Sequence, residues 1–229
     1  LARTTRGPVQ GIILGTVLGF LAHSGAATTM IASFANAGLI SLVKSIAPMV
    51  GANIGTSLSM QLISFDLARY CWFAIGLGFI ARAAVPHPRL RELGSALIGF
   101  GLIFLGMTTI SSAIAPHRDA LAPWLTHFEC GSWTGRLAGV AVSAVLTALI
   151  TSSGAMIGLC FVLVTAGVFT SFDQFFPIVL GAHIGTCVVA LTASLSMNID
   201  GKRSAVSHLA FNVLNVALAL AAYPLVKAL

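Results

Sequence analysis

The chain has 229 residues, of which only 12 are Lys or Arg and 6 are Asp or Glu. Charged residues make up 8% of the sequence, against about 25% in an ordinary soluble domain, and hydrophobic residues make up 57%. So few charges cannot cover the surface of a water-soluble protein, which argues against a soluble domain, a disordered chain and a nucleic-acid-binding protein. We therefore interpret the net charge of +6 as loop charge beside a lipid bilayer that the chain crosses.

In chain order, the first apolar stretch is too short for a complete crossing. Residues 9–22 are apolar and stop at His23-Ser24-Gly25, after which a second apolar run continues to residue 43. Later in the chain, residues 137–150 stop in the same way at Thr151-Ser152-Ser153-Gly154. Half-length helices that meet at a Ser/Gly break predict re-entrant helical hairpins, here at 9–43 and 136–170.

Five other segments are about as long as a membrane-spanning helix, which needs about 20 residues. Three of them, 68–85, 93–115 and 204–227, are simple apolar helices. The other two, 46–65 and 175–197, contain paired glycines and polar side chains, and we predict that they are broken transmembrane helices.

The motifs in those two segments belong to an internal repeat. GANIGT (51–56) recurs as GAHIGT (181–186). Each motif follows one of the two Ser-containing breaks, which we call the tips (23–25 and 151–154), at nearly the same spacing. Three crossings separate the copies, so the second hairpin enters from the opposite face, as in the inverted repeats of secondary transporters. The predicted repeats are residues 1–92 and 93–229. Because helix 93–115 has no counterpart before the first hairpin, a further N-terminal helix is expected in the natural protein or its relatives.

The basic residues predict the orientation. With re-entrant hairpins, eight of the 12 lie on the side of the N-terminus and four on the other side; with continuous crossings the ratio is seven to five. The positive-inside rule then places the N-terminus in the cytoplasm and the C-terminus outside an inner or plasma membrane. The eight residues are Arg3, Arg6, Lys44, Arg82, Arg89, Arg91, Lys202 and Arg203.

Three features carry a resemblance to a known family: the two tips, the duplicated GANIGT and GAHIGT motifs, and KRSAVSHLAFNVL (202–214). Over about residues 9 to 227, the sequence resembles the sodium–phosphate cotransporter family, including its type II members. The resemblance implies an all-α polytopic protein that takes up inorganic phosphate together with sodium by alternating access. It implies no covalently bound cofactor, and it is compatible with a homodimer. It implies sodium ligands among Ser24, Asn53, Ser152 and Ser153. The implied substrate and ion site comprises His23, Ser24, Gly25, Thr28, Asn53, Thr56, Ser57, Thr151, Ser152, Ser153, His183 and Thr186.

The tips depart from the family pattern Gln-Ser-Ser-Ser-Ala. His23 and Thr151 stand where the family has Gln, and His183 stands where the first motif has Asn53. A titratable group inside a membrane is a functional candidate, so we hypothesise that His23 and His183 take part in proton coupling or bind a different oxyanion. The alternative is that each imidazole only bonds a neighbouring carbonyl.

Several residues also have an ordinary structural interpretation. Thr28 and Ser57 can bond back to their own helices, and glycines spaced as in Gly51-xxx-Gly55 can allow close helix packing. His208 and Asn212 lie one turn apart on one helix face, where a structural hydrogen bond is expected.

Other functional classes compete with a transporter. Ser153 and His183 resemble the nucleophile and base of rhomboid intramembrane proteases, but the segment between them is too short for the intervening crossing of that family. A re-entrant-loop channel is the second alternative, although the Asn-Pro-Ala tips of aquaporins are absent from the sequence. A subunit that serves only in assembly is the third.

Overall fold

The computed structural model describes residues 7–65, 67–125 and 132–228. Arg3 and Arg6, which were counted on the cytoplasmic side, lie outside these residues. The described residues form helices and connections without a β-strand. The α-helices are α1 (Pro8–Asn36), α2 (Leu42–Ser64), α3 (Cys71–Ala84), α4 (Pro88–Ile114), α5 (Arg118–Leu125), α6 (Trp133–Ile150), α7 (Ser153–Thr165), α8 (Phe172–Gly185), α9 (Cys187–Ser194), α10 (Ile199–Ala221) and α11 (Tyr223–Ala228).

Five helical segments in the described ranges are long and apolar enough to cross a membrane. By length and composition they are α1, which counts as one segment although its backbone is broken at His23, α4 with its extension to Leu121, α6, α8 together with α9, and α10. The prediction of an all-helical integral membrane protein is therefore confirmed. The predicted helix at 68–85 is shorter than a crossing, because α3 has 14 residues and spans only about 21 Å.

The prediction that the motif helix is broken was wrong for the first copy. Helix α2 runs without interruption from Leu42 to Ser64, through the whole GANIGT motif. In the second copy the helix is interrupted only at Thr186, whose φ of −63° and ψ of −20° remain right-handed helical. The glycines of these motifs therefore have another structural reason.

That reason is a close contact between helix backbones. A Cβ atom on Gly51 would overlap the carbonyl oxygen of Ile12, and one on Gly55 would overlap that of Thr16. Both carbonyls belong to the part of α1 that precedes His23. Glycine is required in α2 because nothing larger fits between the two backbones, which is the packing alternative that the GxxxG spacing offered.

The second copy forms the same contact. A Cβ atom on Gly181 would overlap the carbonyl oxygen of Val140, and one on Gly185 would overlap that of Ala144. Val140 precedes the second tip as Ile12 precedes the first, and Gly181 opens the second motif as Gly51 opens the first. We call the helical segment before each tip the first arm, and the helix that contains GANIGT or GAHIGT the motif helix. Equivalent residues of the two copies thus make equivalent contacts between the first arm and the motif helix.

The chain is sharply redirected at both predicted tips. His23 has φ 60° and ψ 160°, and Thr151 is left-handed with φ 59°. These are the two residues other than glycine with positive φ in the described ranges. Such backbone conformations cost energy for residues that carry a Cβ, so the surrounding packing must hold them.

The break at His23 changes how α1 runs along α2. Before it, Gly11 packs against Ala47, and Gly55 faces Thr16, so contacts advance in the same direction along both helices. After it, a short connection joins residue 36 to α2, and Ile31 packs in a cluster with Met49. Both ends of α1 therefore lie beside the start of α2, and the break lies farther along it.

We expect Gly55→Ala and Gly185→Ala to lower the free energy of unfolding by about 1–3 kcal/mol, because each added methyl group forces the two backbones apart. The midpoint of thermal unfolding in detergent measures this. Gly99→Ala in α4 is the matched control, because nothing lies within 4 Å of its added methyl group. The control should keep or raise the midpoint, since alanine is the better helix former. Equal midpoints for all three variants would contradict the contact.

Candidate functional site

The first tip holds a buried hydroxyl that has no partner. The side chain of Ser24 is only 1% exposed, and its Oγ makes no hydrogen bond within the described part of the chain. One turn later, Thr28 Oγ1 donates to the carbonyl oxygen of Ser24 at 2.6 Å. Thr28 thus bonds back to its own helix, as the structural interpretation expected, whereas Ser24 keeps its oxygen free.

The second tip uses its hydroxyls differently. Ser152 is the N-cap of α7, and its Oγ accepts a hydrogen bond from the backbone N–H of Ala155 at 3.2 Å. Thr151 Oγ1 donates to the carbonyl oxygen of Ile150 at 2.7 Å. Ser153 begins α7 and is 3% exposed. The tip therefore presents the start of a helix, where backbone N–H groups lack partners within the helix.

Each tip touches residues of the other copy. A Cβ atom on Gly154 would lie 3.3 Å from Cε1 of His23 and 3.4 Å from Cε of Met60. A Cβ atom on Gly25 would lie 3.2 Å from Oγ1 of Thr186, at the end of the GAHIGT motif. The structure thus brings together predicted site residues that come from different halves of the sequence.

A cavity of about 540 Å³ opens beside the tips, between α2, α4 and α7. His23 and Ser152 are the two hydrogen-bonding side chains among its described lining residues. Most of its wall is apolar and includes Met60, Met107 and Val162. The tips therefore form the polar end of an apolar cavity.

A second cavity, of about 280 Å³, lies between α2, α8 and α10. Three predicted site residues line it, namely Asn53, Ser57 and His183. Asn212 and Asn215 of α10 also line it, although they were not among the predicted site residues. The predicted site is thus divided, since His23 and Ser152 face one cavity while Asn53 and His183 face another.

Asn53 belongs to a buried hydrogen-bond network with α10. Asn212 Nδ2 donates to the carbonyl oxygen of His208 at 2.9 Å, and Asn53 Nδ2 donates to Asn212 Oδ1 at 3.1 Å. Asn53 Oδ1 then lies 3.4 Å from His208 Nε2 and can only accept. His208 must therefore carry its proton on Nε2, which leaves Nδ1 buried without a partner among the described residues. The expectation of a structural hydrogen bond for His208 and Asn212 is confirmed.

The α10 residues beside Asn53 could have been found from their spacing. His208, Asn212 and Asn215 are separated by four and three positions, which places them on one helix face. What the sequence did not indicate is the partner of that face. Near the start of the two helices, Ser45 Oγ lies 2.9 Å from Ser204 Oγ, so α10 packs along α2 with buried polar contacts.

Two other predicted residues bond to backbone carbonyls. Thr56 Oγ1 donates to Ala52 at 3.0 Å and lies 3.3 Å from the carbonyl oxygen of Gly19, which ties α2 to the first arm of α1. Ser57 Oγ donates to the carbonyl oxygen of Asn53 at 3.1 Å. These contacts match the structural interpretation of membrane hydroxyls.

The protease alternative gains no support from the geometry. Ser153 is buried, and among the described hydrogen bonds none joins its hydroxyl to His183. His183 instead lines the cavity that it shares with Asn53. A Ser–His dyad requires the two side chains within hydrogen-bond reach.

Asn212→Ala should lower the free energy of unfolding by about 1 kcal/mol, because it leaves the buried Nδ2 donor of Asn53 without its acceptor. The midpoint of thermal unfolding reports this loss. Asn215→Ala is the control: this side chain lines the same cavity, yet no described hydrogen bond involves it. A fall of equal size in both variants would contradict the network.

Comparison with known proteins agrees with the motif resemblance. A family model described as Na+/Pi-cotransporter matches residues 1–112 and 119–227. The chain is 31% identical over 218 residues to "Uncharacterized protein YqeW" of Bacillus subtilis (strain 168). This alignment covers 93% of this chain and 68% of that protein.

Two further relatives carry a functional name. The chain is 27% identical over 198 residues to "Putative inorganic phosphate export protein YjbB" of Salmonella typhimurium, and over 197 residues to the protein of the same name in Escherichia coli (strain K12). Each alignment covers 86% of this chain but only 36% of the relative. No solved structure matches. Because the family model covers nearly the whole sequence, this chain belongs to the Na+/Pi-cotransporter family.

Proposed function

We propose that this protein moves inorganic phosphate across a membrane together with sodium, by alternating access. The observation that carries the proposal is the meeting of the two tips, where His23 lies against Gly154 and Gly25 lies against Thr186. Family membership supports phosphate as the substrate. A site formed from both copies can be opened to either side when one copy moves against the other.

The membrane arrangement is part of this proposal. The two copies are inverted repeats, and their breaks at His23 and Thr151 are the tips of re-entrant hairpins near the middle of the bilayer. The duplicated contact of Gly51 and Gly181 with the preceding arms supports the repeat. The distribution of basic residues supports a cytoplasmic N-terminus in an inner or plasma membrane.

Phosphate would be bound without fixed positive charge from the protein. No Lys or Arg is among the described residues that line the two cavities. The second arm of α1 begins at Ser24, and α7 begins at Ser153. Helix N-termini offer N–H donors and partial positive charge to an anion, and a sodium ion bound beside it would supply the remaining charge.

Ser24 is the strongest of the proposed sodium ligands, because its hydroxyl oxygen is buried and has no described partner. Ser152 accepts one N–H through its Oγ and retains a second lone pair, whereas Asn53 is engaged with α10. Hard cations such as sodium prefer neutral and anionic oxygen ligands. Ser153, adjacent to Ser152, is the remaining candidate.

The direction of transport follows from the gradients. A symporter is reversible, so an inward sodium gradient drives uptake, which is the direction that the motif resemblance implies. The YjbB proteins are named for export. Liposomes with sodium and phosphate gradients imposed in each direction distinguish the two.

We expect Ser24→Ala to reduce sodium-driven uptake of labelled phosphate at least tenfold without lowering the midpoint of thermal unfolding. The reason is that the variant removes a buried hydroxyl without a partner, which costs the fold nothing, yet deletes an ion ligand. The purified full chain in liposomes, assayed with sodium and with potassium, provides the measurement.

Ser33→Ala is the matched control on the same helix. Its Oγ donates to the carbonyl oxygen of Thr29 at 2.9 Å, so it represents a hydroxyl with a purely local use. Uptake by this variant should equal that of the wild type. Normal uptake by the Ser24 variant would remove Ser24 from the site, and uptake that is equal in sodium and potassium would overturn sodium coupling.

We also propose that His23 and His183 give transport its pH dependence. The two imidazoles line different cavities on residues contributed by opposite copies. Unperturbed histidine changes charge between about pH 5 and 8. The double variant His23→Gln/His183→Asn should therefore flatten the pH profile of phosphate uptake in this range while sodium dependence remains.

His87→Gln is the control, because His87 lies in the exposed connection between α3 and α4. This variant should retain the wild-type pH profile. If the double variant also retains that profile, the two histidines serve only as hydrogen-bonding groups.

A further inference from the structure

A third cavity, distant in sequence from the motifs, lies where α3 ends and α4 begins. It has a volume of about 770 Å³. Two of its lining side chains, Arg82 and Arg91, are charged, and neither is buried. The remaining lining residues are Phe79, Ala83, Ala84, Val85, Pro86 and Ile98.

Helix packing brings the two arginines to one place. Gly78 and Gly94 cross so closely that a Cβ atom on Gly94 would lie 2.9 Å from the backbone nitrogen of Arg82. Arg82 Nη1 donates to Ser95 Oγ at 2.9 Å, and Ser95 Oγ donates to the carbonyl oxygen of Arg91 at 3.1 Å. Ser95 thus orients one guanidinium group over the helix that carries the other.

The positive charge of this cavity is not neutralised by the described part of the protein. Neither Arg82 nor Arg91 forms an ion pair among the described residues. Glu92 lies with both of them around an adjoining depression of about 280 Å³, but no described ion pair joins it to either. Two arginines against one carboxylate leave a net positive site with unused N–H donors.

Large exposed apolar side chains lie on the same two helices as this charge. In α3, Phe73 near the start and Leu77 near the middle are 69% and 62% exposed, and in α4 Leu93 is 60% exposed. Such large exposed apolar side chains are suited to the acyl chains of a bilayer. Arg82 and Arg91 lie at the ends of these helices, where arginines reach the membrane–water interface.

We propose that this cavity binds an anionic phospholipid. The headgroup phosphate lies between Arg82 and Arg91, whose guanidinium groups can each donate two parallel hydrogen bonds to phosphate oxygens. The acyl chains lie against Phe79 and Ile98, which form the apolar part of the wall. Basic pockets between membrane helices are suited to such headgroups. The proposal does not depend on the transport function.

The test measures binding of phosphatidylglycerol to the purified full chain in detergent, with phosphatidylcholine as the zwitterionic reference. Native mass spectrometry gives the affinity ratio of the two lipids. Arg82→Gln and Arg91→Gln should each reduce this ratio about fivefold, and the double variant about 25-fold, since each juxtamembrane arginine contributes about 1 kcal/mol.

Arg89→Gln is the matched control, because Arg89 lies in the same segment and loses the same charge, but is not among the residues lining the cavity. Its ratio should stay within about twofold of the wild type. If a glutamine variant does not fold, Arg82→Lys/Arg91→Lys replaces it: this pair keeps the charge but loses the bidentate geometry, so its ratio should also fall.

Three outcomes would overturn the proposal. An unchanged lipid ratio in the double variant would remove the cavity as the site. An equal loss in Arg89→Gln would mean that general surface charge, rather than this cavity, attracts the lipid. Displacement of the lipid by inorganic phosphate at millimolar concentration would assign the cavity to the free anion.

Discussion

The close contact between helix backbones at the motif glycines is the constraint on which the rest of this structure depends. Inside a membrane there is no hydrophobic gain when one apolar helix leaves lipid for another, so helices associate through close packing of small residues. Gly51 and Gly55 allow α2 to lie directly on the carbonyl groups of the preceding arm. The same contact at Gly181 and Gly185 holds the arm that leads to the second tip. The positions of both tips follow from these two contacts.

The sequence indicated the two backbone breaks, at His23 and Thr151, because they belong to local patterns. A Ser/Gly interruption of an apolar run and a motif that recurs in the second half of the chain can be recognised without knowing what they touch. The continuity of α2 could not be predicted in the same way. A pair of glycines either breaks a helix or admits a neighbouring backbone, and the neighbour that decides between them, Ile12, lies in a different helix.

The hydrogen-bond partners of Asn53 could not be predicted for a similar reason. The family resemblance implies an ion ligand at Asn53, and the structure pairs its side chain with Asn212 and His208 of α10, a helix that is distant in sequence. That pairing joins the motif of the first copy to the last long helix of the second copy. His183, the equivalent of Asn53 in the second motif, faces the same cavity. Residues of both motifs therefore line one cavity beside α10. In the proposed alternating access, a movement of one copy against the other would change this polar contact.

The scarcity of charge gives the proposed mechanism its coupling. At the proposed site, a phosphate ion beside the tips would face hydroxyl groups, helix N-termini and the imidazole of His23 among the described residues, and these dipoles do not replace the hydration of a bare anion. A sodium ion in the same place has the same difficulty. Two opposite charges about 4 Å apart attract each other far more strongly in that environment than in water, so each ion is bound well only when the other is present. An arginine beside the tips would bind phosphate without sodium and would remove that dependence, whereas Arg82 and Arg91 lie at the ends of their helices.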